Sequence, residues 1–256
     1  VTPARAHACD TVEDYLARTA PPARVCVVDA HLLGLEHADA LLGSAAAPAV
    51  RLAGDPRQLP PLGTGSLLRN LLGLDPSRLL PRGWSPAAAG ARCAALPPDT
   101  RIDQWCRRHR GEAETVLCSS RHWCSLLQPR DPPRRQVVCV KNEGDLYNGM
   151  IGTLDGVHLE LQDGKTVRVP DDSADLLVPG WAVTVRRVQG GRVRGPVLVV
   201  ATPDMSRRTL HTALAACGDV ARCRVLQTCP WDELPDHDTV ENENLSWVRP
   251  LAPATA

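Results

Sequence analysis

The sequence predicts an α/β fold, made of two parallel-sheet layers with a small SH3-like antiparallel barrel inserted between them. Short apolar runs at residues 25–28 and 49–53 each end in polar residues, as buried parallel strands do where they reach a sheet edge. From residue 137 to residue 178 the pattern changes to short strands separated by Asp-Gly turns, which favours an antiparallel meander. Apolar strands and helices alternate again after residue 179.

The first layer is expected to end at residue 73, and to be incomplete. The segment 8–18 predicts a helix with Asp10 as its N-cap, and two shorter helices are predicted at residues 35–42 and 66–72. The inward face of the helix at 35–42 is predicted to consist of Leu35, Ala38, Leu41 and Leu42.

The rest of the chain divides by composition. Residues 74–136 hold a connector rich in Pro, Ala and Gly, assigned to residues 74–100, and the start of the second layer. Within the barrel at 137–178, residues 157–161 are expected to pair with residues 166–169. Strands at 181–185, 196–201 and 222–227 and a helix at 206–217 then complete the second layer over 179–229, and an acidic, then Pro- and Ala-rich tail with frayed structure is expected over 230–256.

Charge is balanced over the whole chain but not along it. The net charge is zero and the pI is about 7.2, which argues against binding nucleic acid by bulk charge. Residues 101–135 nevertheless hold eight Arg against four acids, and residues 186–208 hold six Arg against one acid. Local basic faces that follow phosphates and ordinary solvated surface are both compatible with this pattern.

Aromatic residues are scarce, and no run is apolar for long enough to cross a membrane. The candidates for stacking on bases are Trp105, Trp123, Tyr147 and Trp181.

The ten cysteines are expected to be reduced thiols of an intracellular protein. None forms a C-x₂-C pair, which argues against a zinc site. The nearest spacings leave five residues between the cysteines, as from Cys118 to Cys124 and from Cys217 to Cys223. The first residue is Val rather than Met, so we expect the chain to be part of a longer protein.

The most specific pattern lies in residues 52–61, Leu-Ala-Gly-Asp-Pro-Arg-Gln-Leu-Pro-Pro. Gly54 permits a tight turn, and Asp55 and Gln58 supply polar groups beside a possible phosphate site. The strand upstream ends in Asp29, so two parallel strands would bring both loops to one edge of a sheet.

This order of strands and polar residues resembles superfamily 1 DNA helicases, in the branch that contains RecD and DNA helicase B. The resemblance implies that the two parallel-sheet layers are RecA-like, of the P-loop NTPase type. It implies ATP and Mg²⁺ as cofactors, with Asp29 as the Mg²⁺ ligand and Gln58 as the γ-phosphate sensor, both assigned as catalytic. It also implies nucleotide contacts by Gly54, by Asp55 and by Arg101, the last from the segment Leu96-Pro97-Pro98-Asp99-Thr100-Arg101.

Two later segments carry the same resemblance. Residues 147–152, Tyr-Asn-Gly-Met-Ile-Gly, match an Asn-Gly-x-x-Gly element of the family's barrel insert. Residues 184–192 match a strand followed by Thr-x-His-x-x-Gln-Gly-Ser-Glu, which implies nucleotide contacts by Gln189 and Gly190 and DNA contacts by Thr184, Arg186, Arg187 and Arg192.

Several family motifs are absent or have different residues at key positions. No G-x-x-x-x-G-K-[ST] loop occurs, the glutamate expected after Asp29 is Ala30, and the phosphate-reaching arginine is Ala216. His31 as a replacement base, and Arg222 or Arg224 as a replacement arginine, stay open.

The sequence therefore predicts part of an ATP-dependent 5′–3′ helicase acting on single-stranded DNA in replication or repair, impaired in catalysis. Replication or repair proteins are possible partners, no membrane is involved, and the expected location is the nucleus. The alternative is a pseudo-helicase that serves as a nucleic-acid-binding or scaffold module without ATP turnover. An unrelated P-loop NTPase fragment fits the sequence less well.

Overall fold

A computed structural model describes residues 12, 15, 17, 25–43, 49–61, 65–74, 79–80, 84–109, 115–129, 135–162, 164–170 and 175–235. These residues form two compact units, one up to Leu79 and the other from Leu80 onward. Positions 12 and 15 of the helix predicted at 8–18 are helical, and the rest of that helix, except position 17, lies outside the described residues.

The first unit contains a parallel pair of strands flanked by helices. Its elements in chain order are β1 (Val25–Val27), α1 (Leu35–Gly43), β2 (Val50–Leu52) and α2 (Leu67–Leu72). The strands pair in parallel, with Val27 opposite Leu52, so both chains leave the sheet at the same edge. The core of this unit is built from Tyr15, Val27, Ala30, Leu33, Ala38, Leu41 and Leu68.

Helix α1 buries a narrower face than the sequence predicted. Ala38 and Leu41 are 2% and 1% exposed, but Leu42 is 54% exposed, so its predicted inward position is wrong. The reason is angular: successive helix residues are about 100° apart, and with Leu41 at the centre of the buried face Leu42 points away from it.

The second unit contains a five-stranded parallel sheet and a five-stranded antiparallel sheet. Its elements in chain order are β3 (Arg92–Ala95), α3 (Ile102–Arg108), β4 (Thr115–Cys118), α4 (Arg121–Leu127), β5 (Gln136–Cys139), β6 (Ile151–Asp155), β7 (His158–Leu161), β8 (Thr166–Arg168), β9 (Leu177–Pro179), β10 (Ala182–Thr184), α5 (Val185–Val188), β11 (Val197–Ala201), α6 (Arg207–Ala216) and β12 (Cys223–Gln227). The parallel sheet has the order β10-β4-β11-β12-β3, and the antiparallel sheet has the order β8-β7-β6-β5-β9. The predicted class, parallel layers with a separate antiparallel insert, is confirmed.

Strand β3 lies inside the segment predicted to be a connector, and this part of the prediction is wrong. The strand is at the edge of the parallel sheet, where it pairs with β12 along Arg92–Ala95. Because the strand is short, largely exposed and free of large apolar side chains, the Pro and Gly residues around it dominated the sequence pattern. Strand β4 and helices α3 and α4 were also not identified from the sequence.

The antiparallel sheet is inserted between α4 and β10, two elements that belong to the parallel layer. The hairpin of β7 and β8 has Leu159 opposite Val167, as the turn pattern predicted. At the junction, Gln136 Nε2 donates to Thr115 Oγ1 at 2.9 Å, and the Ala182 amide donates to Gln128 Oε1 at 2.9 Å. Entry to and exit from the insert are therefore both hydrogen-bonded to the parallel layer.

Helix α6 begins as predicted, because the Ser206 side chain accepts a hydrogen bond from the Thr209 amide at 2.9 Å. The start of the tail is ordered against this helix rather than frayed. The Arg207 amide donates to the Pro235 carbonyl at 2.7 Å, and Leu234 is 4% exposed. Residues 236–256 of the predicted tail lie outside the described residues.

Candidate functional site

The loops that follow β1 and β2 are joined by backbone hydrogen bonds at the carboxyl edge of the first sheet. The Ala53 amide donates to the Val27 carbonyl, and the Ala30 amide donates to the Ala53 carbonyl, each at 2.9 Å. Asp29 and Asp55 follow these strands, so both predicted acidic residues lie at one edge, as the parallel pattern required.

Gly54 is the point of closest approach between the two loops. A Cβ atom at this position would lie 2.9 Å from the Ala30 amide nitrogen and 3.0 Å from the amide nitrogen of His31. These neighbours are backbone atoms that cannot rotate away, so any larger residue would push the Asp29 loop off the sheet. The glycine is therefore required by packing, a reason beyond the turn freedom inferred from the sequence.

Asp29 has left-handed backbone geometry, with φ at 53°. Asp tolerates this region better than most residues do. The Leu32 amide donates to the Asp29 carbonyl at 2.8 Å, which closes a short 3₁₀ turn over Ala30–Leu32. This turn leaves Asp29 half-buried at the edge while Ala30 and His31 are each 1% exposed.

The carboxylate of Asp55 is held by Arg57, a residue that the sequence reading did not single out. Arg57 Nε lies 2.9 Å from Asp55 Oδ1, a second guanidinium nitrogen lies 3.0 Å from Oδ2, and the Arg57 amide also donates to Oδ1 at 3.0 Å. The hydrogen bond that the Arg57 side chain donates to Asp55 raises the pKa of Arg57. Arg57 screens the negative charge of Asp55, which makes this edge more favourable for an anion.

Gln58 completes the same turn. Its amide donates to the Asp55 carbonyl at 3.1 Å, and the residue is half-buried. The predicted roles of Asp29, Asp55 and Gln58 toward a nucleotide and Mg²⁺ stay predictions. In the described part of the chain, no three His, Cys, Asp or Glu side chains are grouped closely enough to hold a metal ion among themselves.

In the second unit, the predicted DNA-contacting residues surround helix α5. The predicted strand 181–185 ends at Thr184, and Val185 instead begins a single helical turn that carries Arg186 and Arg187. Thr184, Arg186, Arg187 and Gln189 are half-buried, and Gly190 and Arg192 are exposed. Gly190 has a positive φ of 79°, so the chain turns there after the helix.

The antiparallel insert reaches this segment through its Asn-Gly turn. A Cβ atom at Gly149 would lie 2.2 Å from the carbonyl oxygen of Arg187, and φ at Gly149 is 92°. The turn itself is fixed by hydrogen bonds from the Gly149 amide to the Cys139 carbonyl at 2.9 Å and from the Asn148 amide to Asn142 Oδ1 at 2.8 Å. The structure thus brings together two segments, 147–152 and 184–192, that the sequence reading treated separately.

A polar cluster at the carboxyl edge of β4 and β11 was missed. Ser119 Oγ donates to Asp204 Oδ2 at 2.9 Å and lies 3.1 Å from Thr202 Oγ1, and Trp123 Nε1 donates to Asp204 Oδ1 at 3.2 Å. The sequence contained a pattern that could have predicted this cluster, since Ser119 and Asp204 come after apolar runs, as Asp29 does.

Arg101 precedes helix α3 and is engaged with a neighbour. Its Nε lies 3.0 Å from Asp103 Oδ1, and its side chain is 72% exposed. Asp103 is also paired with Arg107. Contact of Arg101 with a nucleotide remains a prediction.

At Ala216, where the family motif has an arginine, the fold holds a small buried residue. Ala216 is 4% exposed, and its carbonyl accepts a hydrogen bond from the Val193 amide at 2.8 Å. Arg222 precedes β12 at its amino end, away from the carboxyl edge, and Arg224 lies over the Trp105 ring at 5.6 Å. Neither arginine is placed to replace the one that the family motif carries.

Burial removes some of the predicted nucleic-acid contacts. Trp105 and Trp181 are 6% and 5% exposed, so they belong to the core and are unsuited to base stacking, whereas Trp123 and Tyr147 are half-buried. Arg208 is 2% exposed, which reduces the basic stretch predicted at 186–208. Among the described residues no helix is long and apolar enough to cross a membrane.

Comparison with solved structures identifies the fold. The chain resembles the Pif1 helicase from Candida albicans with a TM-score of 0.50 and 15% identity, over 92% of this chain and 80% of that one. The Pif1 helicase from Bacteroides in complex with ADP-AlF3 and ssDNA gives a TM-score of 0.48 and 13% identity, over 96% of this chain and 80% of that one. Bacteroides Pif1 bound to ssDNA gives 0.48 and 11%, over 88% and 75%.

No protein-family model matches the sequence, and neither does any curated protein. The likeness to the Candida albicans structure shows that the two chains share a fold.

Proposed function

We propose that this chain is the motor part of an ATP-dependent 5′–3′ DNA helicase that acts on single-stranded DNA and is impaired in ATP hydrolysis. The observation that carries the proposal is the packing of Gly54 against the Asp29 loop, which joins two helicase motifs at one sheet edge without room for a side chain. The shared fold with Candida albicans Pif1 supports it. The finer assignment, to the branch of RecD and DNA helicase B, is supported by the motif residues in segments 147–152 and 184–192. Roles in replication or repair and a nuclear location follow from that branch as proposals.

The cofactors of such a motor would be ATP and Mg²⁺. Asp29 is the residue available to a magnesium ion, and the turn of Asp55, Arg57 and Gln58 is available to the terminal phosphate of the nucleotide. The sequence contains no G-x-x-x-x-G-K-[ST] cradle for the phosphates, so this chain alone is expected to bind ATP poorly.

A second function, a binding module without ATP turnover, is favoured by the positions of Ala30 and Ala216. Both are buried and both take part in backbone hydrogen bonds, so the fold accommodates small residues where the motif has a glutamate and an arginine. The two functions make different predictions about ATP but the same prediction about DNA.

For ATP, the purified chain is expected to show no DNA-stimulated hydrolysis, because the phosphate loop, the glutamate and the arginine are all lacking and each contributes a large rate factor. The measurement is phosphate release with and without single-stranded DNA, and the same assay of Asp29→Ala is the control. Phosphate release by the unmodified chain that exceeds the release by Asp29→Ala would overturn the impairment and favour an active motor.

For DNA, the chain is expected to bind an oligothymidylate weakly, with an affinity that falls steeply as salt rises. Replacing Arg186, Arg187 and Arg192 with Gln should reduce the salt slope by about 0.7 for each lost phosphate contact. Replacing Arg51, Arg92 and Arg168, which are exposed elsewhere, removes the same charge and serves as the control.

Fluorescence anisotropy over a series of salt concentrations gives both slopes. Equal slopes in the two triple variants, or no binding at low salt, would contradict a DNA interface at α5.

A further inference from the structure

The segment 189–195, which follows helix α5, is rich in glycine and poor in buried side chains. Three of its seven residues are glycines, and Gly190 and Gly195 have positive φ values of 79° and 85°. Val193 is its one buried residue, at 1% exposure, whereas its two arginines are exposed. The conformation of this segment therefore depends on the contacts that it makes with neighbouring elements.

One contact comes from the end of helix α6. The Val193 amide donates to the Ala216 carbonyl at 2.8 Å, and the Gly218 amide donates to the Val193 carbonyl at 3.0 Å. These bonds form an isolated parallel bridge between Val193 and Cys217. The middle of the segment is thereby fixed to the parallel layer.

A second contact comes from the antiparallel insert, through Gln162. The Arg194 amide donates to Gln162 Oε1 at 2.7 Å, and Arg194 Nη1 donates to the Gln162 carbonyl at 3.4 Å. Gln162 comes directly after β7 and is half-buried. A side chain of the insert thus accepts a backbone amide close to Arg192, one of the predicted DNA contacts.

Gln162 and the Asn-Gly turn are joined within the insert. The Gln162 amide donates to the Ile151 carbonyl at 3.3 Å, and Ile151 follows the Gly149 turn that lies against the Arg187 carbonyl. Strands β6 and β7, which continue from these contacts, are paired with one another. The insert therefore contacts the predicted DNA-binding segment at two points, one in α5 and one beyond it.

We propose that Gln162 is a positioning residue for the DNA interface at α5, so that the insert increases the affinity for single-stranded DNA through the backbone of Arg194. This role rests on the proposed function, since it concerns the arginines assigned to DNA contact there. Its physical basis is pre-organisation, because a segment that is already ordered loses less conformational entropy when it binds. Arg192 lies between the turn at Gly190 and the Gln162 contact, so its position depends most on this hydrogen bond.

Hydrogen exchange of the whole chain without DNA, followed by mass spectrometry of overlapping peptides, tests whether Gln162 orders the segment. Gln162→Met keeps the length of the side chain but removes the acceptor. Exchange should become several-fold faster at the Arg194 amide and also at the amides of Gly191 and Val193, which donate to other carbonyls. Gln162→Glu retains an acceptor and should keep the protection of the unmodified chain, and Gln104→Met makes the same change on α3 as a control.

Fluorescence anisotropy with an oligothymidylate over a series of salt concentrations tests the effect on DNA. Gln162→Met should bind about three- to tenfold more weakly than the unmodified chain, the equivalent of one net hydrogen bond. The salt slope should stay unchanged, because the loosened segment reaches the same phosphates once it is bound. Gln104→Met should change neither quantity.

The positioning role is overturned if Gln162→Met binds DNA as tightly as the unmodified chain, or if exchange becomes faster at Arg194 alone. A salt slope that falls together with the affinity would also overturn it, since the variant would then have lost phosphate contacts rather than pre-organisation. Failure of the proposed function is a different result, because the unmodified chain itself would then show no binding at low salt. That result would overturn the role of Gln162 toward DNA as well.

Discussion

The loop of Gly54 in the first unit and the segment of Gly190 and Gly191 in the second unit both match glycine-containing helicase motifs, yet the structure uses their glycines differently. Gly54 has no room for a Cβ atom, which would lie 2.9 Å from the Ala30 nitrogen. At Gly191 the nearest atom to such a Cβ is the Val188 carbonyl oxygen at 3.4 Å, an acceptable contact. In the second unit the glycines without room for a Cβ atom lie in other segments, and among them are Gly149 in the insert, Gly152 and Gly180. A motif glycine is therefore required by packing at Gly54 in the first unit but not at Gly191 in the second.

The largest effect is expected for Gly149→Ala. The new methyl group would overlap the Arg187 carbonyl at 2.2 Å, and φ at 92° is also unfavourable for alanine. We expect the free energy of unfolding to fall by about 3 kcal/mol. Gly156→Ala is the control, because Gly156 has a positive φ of 57° but nothing near its Cβ position, so it should lose only about 1 kcal/mol. Urea unfolding measures both, and equal losses would show that only backbone strain matters at Gly149.

Gly54→Ala should have the next largest effect, a loss of about 1–2 kcal/mol, because the loop must move away from the Ala30 and His31 amides. Its control is Gly43→Ala at the end of α1, where nothing lies within 4 Å of the added Cβ. Unfolding monitored by circular dichroism distinguishes the two. A Gly54→Ala protein as stable as Gly43→Ala would mean that the two motif loops are not packed as described.

Asp204→Ala tests the polar edge of the second unit, and a loss of about 1 kcal/mol is expected. The change removes the acceptor of Ser119 Oγ and Trp123 Nε1, but this site is exposed enough for water to replace part of the interaction. Tryptophan fluorescence should shift as the indole hydrogen bond changes. Asp232→Ala, another exposed acid, is expected to leave both the spectrum and the stability unchanged.

Arg57→Ala should have the smallest effect on stability, about 0.5 kcal/mol or less, because the pair with Asp55 is half-exposed and screened by solvent. Arg51→Ala on β2 is the matched control. Thermal unfolding of both variants provides the measurement. A loss well above that of Arg51→Ala would indicate that Arg57 organises the Gln58 turn rather than only screening Asp55.

Sequence patterns predicted most strands and helices that have large apolar side chains and clear boundaries, such as α6 with its Ser206 cap and the hairpin of β7 and β8. They failed where the deciding contact comes from a distant residue. Strand β3 has little apolar content and forms a strand because its backbone pairs with β12. Val185 begins a helix although the sequence around it predicted a strand.

For the candidate site, residue order alone was enough to place Asp29 and Asp55 at one sheet edge, because the carboxyl ends of parallel strands share an edge whatever the rest of the fold does. Only the tertiary structure decided that Arg57 holds Asp55 and that the Gly149 turn lies against Arg187. Periodicity along the chain reports which face of an element is buried. The atoms that contact the buried face belong to elements far away in sequence, so the pattern along one element does not identify them.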